Sequence, residues 1–227
     1  MNTRSLALAL TALALTAFAG TAHAQDDVEL ELTLPVGVAD RSTAAADLVP
    51  GYGYENQTGL LLGADARLYV GGNRYFQLGA AVAAAHHAGP ALGLVDGHAF
   101  RSTMVDAGLA GRVLFPCMSG GDTRVHLSGV LGLSGLYADA GEGVGGTPNG
   151  PDVDARRAAA ASLDHGALGW RFALDLSWHL GNFIVGGGVG LRQHFGLDTP
   201  VSRDLVMDVT LRLGGRIDLF HLEPRGV

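Results

Sequence analysis

The chain has 227 residues, a formal net charge of −7, 48% hydrophobic but only 16% charged residues, 35 Gly and one Cys. Charged residues make up about 25% of an ordinary soluble domain, and here all 15 basic residues are Arg. This excludes a disordered tail, a basic nucleic-acid binder and a coiled coil. Beyond the N-terminus no apolar run reaches the ~18 residues of a membrane helix, and Cys117 alone can form no internal disulfide.

The chain begins with a targeting pattern. Arg4 supplies a positive start, Leu6 to Ala19 is an Ala/Leu run interrupted by Thr11 and Thr16, and Ala22-His23-Ala24 precedes Gln25. A small-x-small end to a short apolar run predicts a secretory leader over 1–24 and an exported chain over 25–227.

From Val28 the sequence takes a period of two, the strand signature. Val28, Leu30, Leu32, Leu34, Val36 and Val38 are apolar, and Glu29, Glu31, Thr33, Pro35 and Gly37 alternate with them. The pattern returns over Leu60–Val70, Phe76–Ala84, Thr103–Phe115, Val125–Tyr137, Leu168–Leu180, Phe183–Phe195 and Leu205–Leu219. Each segment has the roughly 9–11 residues or more that a tilted strand needs to cross a bilayer.

Short turn-forming connections (71–73, 116–122, 181–182) alternate with longer polar ones (39–57, 89–98, 141–165, 197–203). The alternation predicts an all-β fold, an eight-stranded antiparallel up-and-down transmembrane β-barrel. Both termini would lie on the short-turn side and the long loops outside the cell.

A soluble ligand-binding barrel also alternates, with its apolar face inward, so the charges decide. The polar faces carry Glu29, Glu31, Asp65, Asp106, Asp175, Asp208 and Asp218, matched by Arg67, Arg112, Arg124, Arg171, Arg192, Arg212 and Arg216. The apolar faces carry no charge within the segments, and Trp170, Trp178, Phe115, Tyr137, Phe183 and Phe195 stand near strand ends. An uncharged band with aromatic borders fits a lipid-facing girdle. Eight strands leave an interior only wide enough for side chains, and the planar Arg fork pairs with both carboxylate oxygens. The fourteen charges are therefore expected to form a structural ion-pair network filling the lumen. The other acids gather on the long-loop rim, Asp40, Glu55, Asp96 and Asp204 among them, with Arg41, Arg101 and Arg203.

This pattern, over the whole mature chain, resembles the small eight-stranded outer-membrane barrels of Gram-negative bacteria, the group of the OmpA transmembrane domain, OmpX and OmpW. Its most specific piece is Arg212-Leu213-Gly214-Gly215-Arg216-Ile217-Asp218-Leu219, which is similar to that group's closing-strand assembly signal; Phe220 is then followed by seven further residues. The resemblance implies a bacterial outer-membrane location, surroundings of outer-membrane lipid and lipopolysaccharide, and recognition of the last strand by the outer-membrane assembly machinery. No nucleic-acid partner and no cofactor is expected, and the oligomeric state is left open.

His126-Leu127-Ser128 is similar to the His-x-Ser pair of outer-membrane lipid A deacylases, in which the His would take the Ser proton. It lies near a short turn, however, and by parity faces the lumen, so a polar lumen pair is expected and no catalytic residue is assigned. His86, His87 and His98 flank the 89–97 loop and have the imidazoles of a metal site. Adjacent strand residues point to opposite faces, so surface histidines without a metal are expected. Gly186-Gly187-Gly188 is followed by no Lys or helix, hence marks close packing rather than a phosphate loop.

The expected role is that of an integral outer-membrane barrel with a closed, ion-paired lumen and exposed loops, structural or surface-interacting rather than enzymatic. The alternatives are a narrow gated pore, since buried charges also mark ion paths, and a lipid A-modifying enzyme.

Overall fold

The computed structural model describes residues 27–44, 54–73, 75–92, 98–120, 123–143, 165–196 and 203–220. They contain eight strands: β1 Asp27–Ala44, β2 Tyr54–Asn73, β3 Phe76–Leu92, β4 His98–Leu114, β5 Thr123–Gly143, β6 His165–Leu180, β7 Phe183–Gly196 and β8 Arg203–Phe220. Each pairs antiparallel with its sequence neighbours, and the β1–β8 seam closes the sheet into a barrel. Closure satisfies every edge internally, the condition for a sheet in hydrocarbon.

All eight alternating segments are strands, but four connections are shorter than their polarity predicts. Pairing runs to Ala44 opposite Tyr54, to Asn56 opposite Leu92, to His98 opposite Gly143, and to Ala44 opposite Arg203. The reason is physical: polar outward residues end the lipid-facing band without ending the ladder, because inward residues such as Arg41 and Gln57 still pack in the lumen. The loops 39–57, 89–98 and 141–165 thus give their first and last residues to strands, and 197–203 gives its last, Arg203. The proposed leader, 1–24, lies outside the described residues.

The opposite end is tightly turned. Gly181 adopts φ 60 between β6 and β7, a left-handed conformation that glycine takes without a steric penalty. Between β4 and β5 a 3-10 turn, Pro116–Met118, is fastened by Ser119, whose Oγ donates to the Phe115 carbonyl at 2.8 Å and accepts from the Val125 amide at 3.0 Å. The turn folds against β5 and buries Val125, although its parity is outward.

Candidate functional site: a layered lumen in an apolar shell

Side-chain direction follows the two-residue period around the barrel. Outward residues are apolar and exposed, as at Leu60, Leu109 and Val209, which are 64%, 68% and 65% accessible. A continuous apolar exterior of this kind is far beyond what a soluble monomer exposes, and it excludes the soluble barrel with an apolar interior.

The interior is built in layers. At the long-loop end Arg41 of β1 pairs with Asp204 of β8, Nη2 to Oδ1 at 2.9 Å, and its Nη1 donates to Gln57 at 3.2 Å. Both charges are fully buried. Read as rim charges in the sequence, they are in fact inside, because their parity continues that of Thr33 and Asp208 past the end of the apolar band.

Beneath them lies an apolar layer, Leu61, Met104, Leu136 and Val206 packed with Ala39, Ala85 and Ala167. Leu61 was hidden in the run Leu60-Leu61-Leu62; the signal was an apolar residue on the polar parity.

The central layer contains four Arg and four Asp. Asp65 receives Arg67 at 2.8 Å, Arg212 at 3.1 Å and Arg171 at 3.7 Å; Asp175 receives Arg67 at 2.7 Å and Arg212 at 3.0 Å. Asp106 takes Arg171 and Arg192, each at 3.1 Å, and Arg192 also grips Asp208. Ser134 joins Asp106 to His194, its Oγ lying 2.8 Å from His194 Nε2. Space for these carboxylates comes from β7: a Cβ on Gly190 would lie 2.5 Å from Asp208 Oδ2, and one on Gly188 would strike Asp175.

A second apolar set, Tyr69, Ala81, Ala110, Val130 and Ala173, separates this centre from the short-turn end. There Arg112 binds Glu29 at 2.8 Å and Glu31 more closely, donates its Nε to Gln77 at 2.6 Å, and lies 4.2 Å above the Tyr69 ring. Arg216 stands 3.8 Å from Glu29. His179 Nε2 is 3.3 Å from Glu31, and the His126 and His179 rings are 4.3 Å apart. Glu29, Glu31 and His179 offer donor atoms within 4.8 Å of one another, but both carboxylates are already bound by Arg112, which would compete with a cation.

Twelve of the fourteen charges expected in the lumen thus lie in two connected groups. Arg124 is exposed at the turn end of β5, and Asp218 is 40% exposed at the same mouth, 3.7 Å from Arg216; parity gives the face of a strand but not the depth. His126 and Ser128 are both buried in the lumen, away from lipid. His86 and His87 lie within β3 rather than in a loop, one outward and exposed, the other inward and buried.

A closed eight-stranded antiparallel barrel with an apolar exterior and a polar, charge-balanced interior has the architecture of a membrane-spanning β-barrel. No protein-family model matches the chain, and no curated protein sequence does. Among solved structures the chain is similar to Ail, the attachment invasion locus protein of Yersinia pestis, in a complex with the heparin analogue sucrose octasulfate: 13% identity, TM-score 0.44, covering 84% of this chain and 99% of that one. It is also similar to Neisserial surface protein A (11%, TM-score 0.44, 83% and 97%) and to the outer membrane protein OprG of Pseudomonas aeruginosa (14%, TM-score 0.42, 82% and 93%).

Proposed function

We propose that the protein is an integral barrel of the bacterial outer membrane, closed along its lumen, with a structural or surface-interaction role at its long-loop end. One observation supports this reading: the packing of the central layer. The space left among Asp65, Arg171, Arg192 and Arg212 is about 20 Å³, room for about one water. Opening a path would require separating buried ion pairs in the central layer, and each charge left unpaired is costly.

In this reading 1–24 is a cleaved leader, the barrel spans 25–227, and lipid and lipopolysaccharide surround it. The β8 strand carries the assembly signal through Leu219. Enzymatic activity is not part of it, because His126 and Ser128 face the lumen, where a lipid acyl bond has no access. A narrow gated pore is the rival.

Expression in a Gram-negative host tests the location. The protein should sediment with the outer membrane and run faster on gels before heating than after. Recovery in the soluble periplasmic fraction would overturn the proposal.

A further inference from the structure

The apolar exterior is not uniform. Over β2 and β3 it is hollowed into a groove of about 520 Å³, floored by Ala64, Ala66 and Ala84 and walled by Leu32 and Leu34 of β1 and Val105 of β4. The floor is low because alanines stand where neighbouring outward rows carry Leu or Val.

The register places a polar ledge directly above this groove, on the long-loop side. Ala64, Ala84 and Val105 form one outward row across β2–β4; the next carries Leu62, His86, Thr103 and, on β5, Tyr137. His86 Nδ1 is 3.3 Å from Thr103 Oγ1, and Tyr137 is 56% exposed. One row further stands Arg101, also outward and exposed. On the β1–β2 side the polar edge turns acidic, with Asp40 accepting from Thr58 Oγ1 at 2.8 Å. On β7 and β8 the exposed outward residues Phe195 and Met207 are apolar, and the outward cation of β8 is Arg203 at its first position. Cationic, imidazole and hydroxyl groups therefore meet on β3–β5, above the hollow.

We infer that this face is a binding site for a phosphorylated lipid of the leaflet at the long-loop end, with its headgroup on Arg101, His86, Thr103 and Tyr137 and one acyl chain in the groove. The site rests on the membrane-spanning reading above. The chemistry is complementary at both ends. A guanidinium pairs with a phosphate through two donors, and a Tyr at the hydrocarbon boundary offers a hydroxyl to the headgroup while its ring stays in lipid. From the His86 row to the Val82–Ala66 row is four residues, about 13 Å at ~3.3 Å per residue. Strands tilted by ~35–45° carry that length through about 10 Å of depth, most of the ~15 Å in half of a hydrocarbon core, so the groove accommodates much of one leaflet's chain. A soluble anion would meet the ledge but leave the groove empty; a lipid fills both.

Native mass spectrometry of the full barrel, offered lipid A or its dephosphorylated form in a zwitterionic detergent, tests the inference. Wild type should retain the phosphorylated lipid about tenfold more than the dephosphorylated one, the worth of one charge-assisted hydrogen bond. Arg101→Ala should abolish that preference, and Ala84→Phe should reduce retention of both lipids by filling the groove. Both changes are outward-facing, so each variant should keep the wild-type gel shift on heating; a variant that loses it is replaced by Arg101→Gln or Ala84→Leu, for which the same outcomes are required. Equal retention of the two lipids by wild type, or an unchanged preference in Arg101→Ala, would overturn the site. Failure of wild type to insert into phosphatidylcholine vesicles would instead overturn the membrane reading.

Discussion

Asp65 and Arg67, two residues apart on β2, grip each other in a two-pronged contact, Nε to Oδ1 at 2.8 Å and Nη2 to Oδ2 at 3.2 Å. Residues i and i+2 share a face of a strand, so both side chains enter the lumen together. The pair is the hinge of the central network, since Asp65 also meets Arg212 and Arg171, and Arg67 also reaches Asp175.

Replacing Asp65 by Ala should leave Arg67, Arg171 and Arg212 short of countercharge and cost about 3–5 kcal/mol, the usual penalty for breaking a buried pair. Arg212→Ala should cost a similar amount, because Asp65 and Asp175 both lose a partner. Thermal melting in detergent, followed by the gel shift, gives the values. A set of such variants that all melt like wild type would mean that the polar face is solvated.

The network also makes demands on β7. Gly190→Ala places a methyl group against the Asp208 carboxylate, and Gly188→Ala one against Asp175; either should lower refolding yield and melting temperature. Gly120→Ala, with nothing within 4 Å of the added Cβ, should behave as wild type. Equal stability of all three would show that the carboxylates can move aside freely.

Much of this architecture was legible in the sequence. Eight apolar alternations gave eight strands, and the balanced charges on the opposite parity predicted which face is inward, since Glu29, Asp65, Arg171 and Arg212 are all buried. What alternation does not encode is depth. Arg41 and Asp204 looked like rim charges because the outward residues near them are polar, yet they bind each other inside. Arg124 has inward parity yet is exposed, because β5 there has run past the packed interior. The Ser134–His194 contact joins strands separated by 60 residues, a relation fixed only by how the sheet closes. The hollow over Ala64, Ala66 and Ala84 likewise needs the register of three strands.

Topology yields a separate test. With strands ending at Gly143 and resuming at His165, protease added to intact cells should cut within residues 144–164, the longest connection. Small polar residues between ordered elements favour nicking. Protection there, with cleavage at 116–122 instead, would invert the barrel in the membrane.

The layered interior predicts that single lesions do not open a path. In Arg41→Ala the apolar layer of Leu61, Met104, Leu136 and Val206 and the ion pairs below it still block the bore. Liposomes containing this variant should retain small ions as well as wild-type liposomes do. A leak produced by this one change would place the whole barrier at the Arg41–Asp204 pair.

The central claim is that the lumen is closed, and planar-bilayer recording of the refolded wild-type protein tests it most directly. A barrel whose central layer leaves a cavity of about 20 Å³ among Asp65, Arg171, Arg192 and Arg212 should insert without a steady conductance step at either polarity. Discrete, reproducible, ohmic steps from protein that has passed the heat-shift criterion for folding would contradict the closed lumen and make the same Arg and Asp residues the lining of a pore.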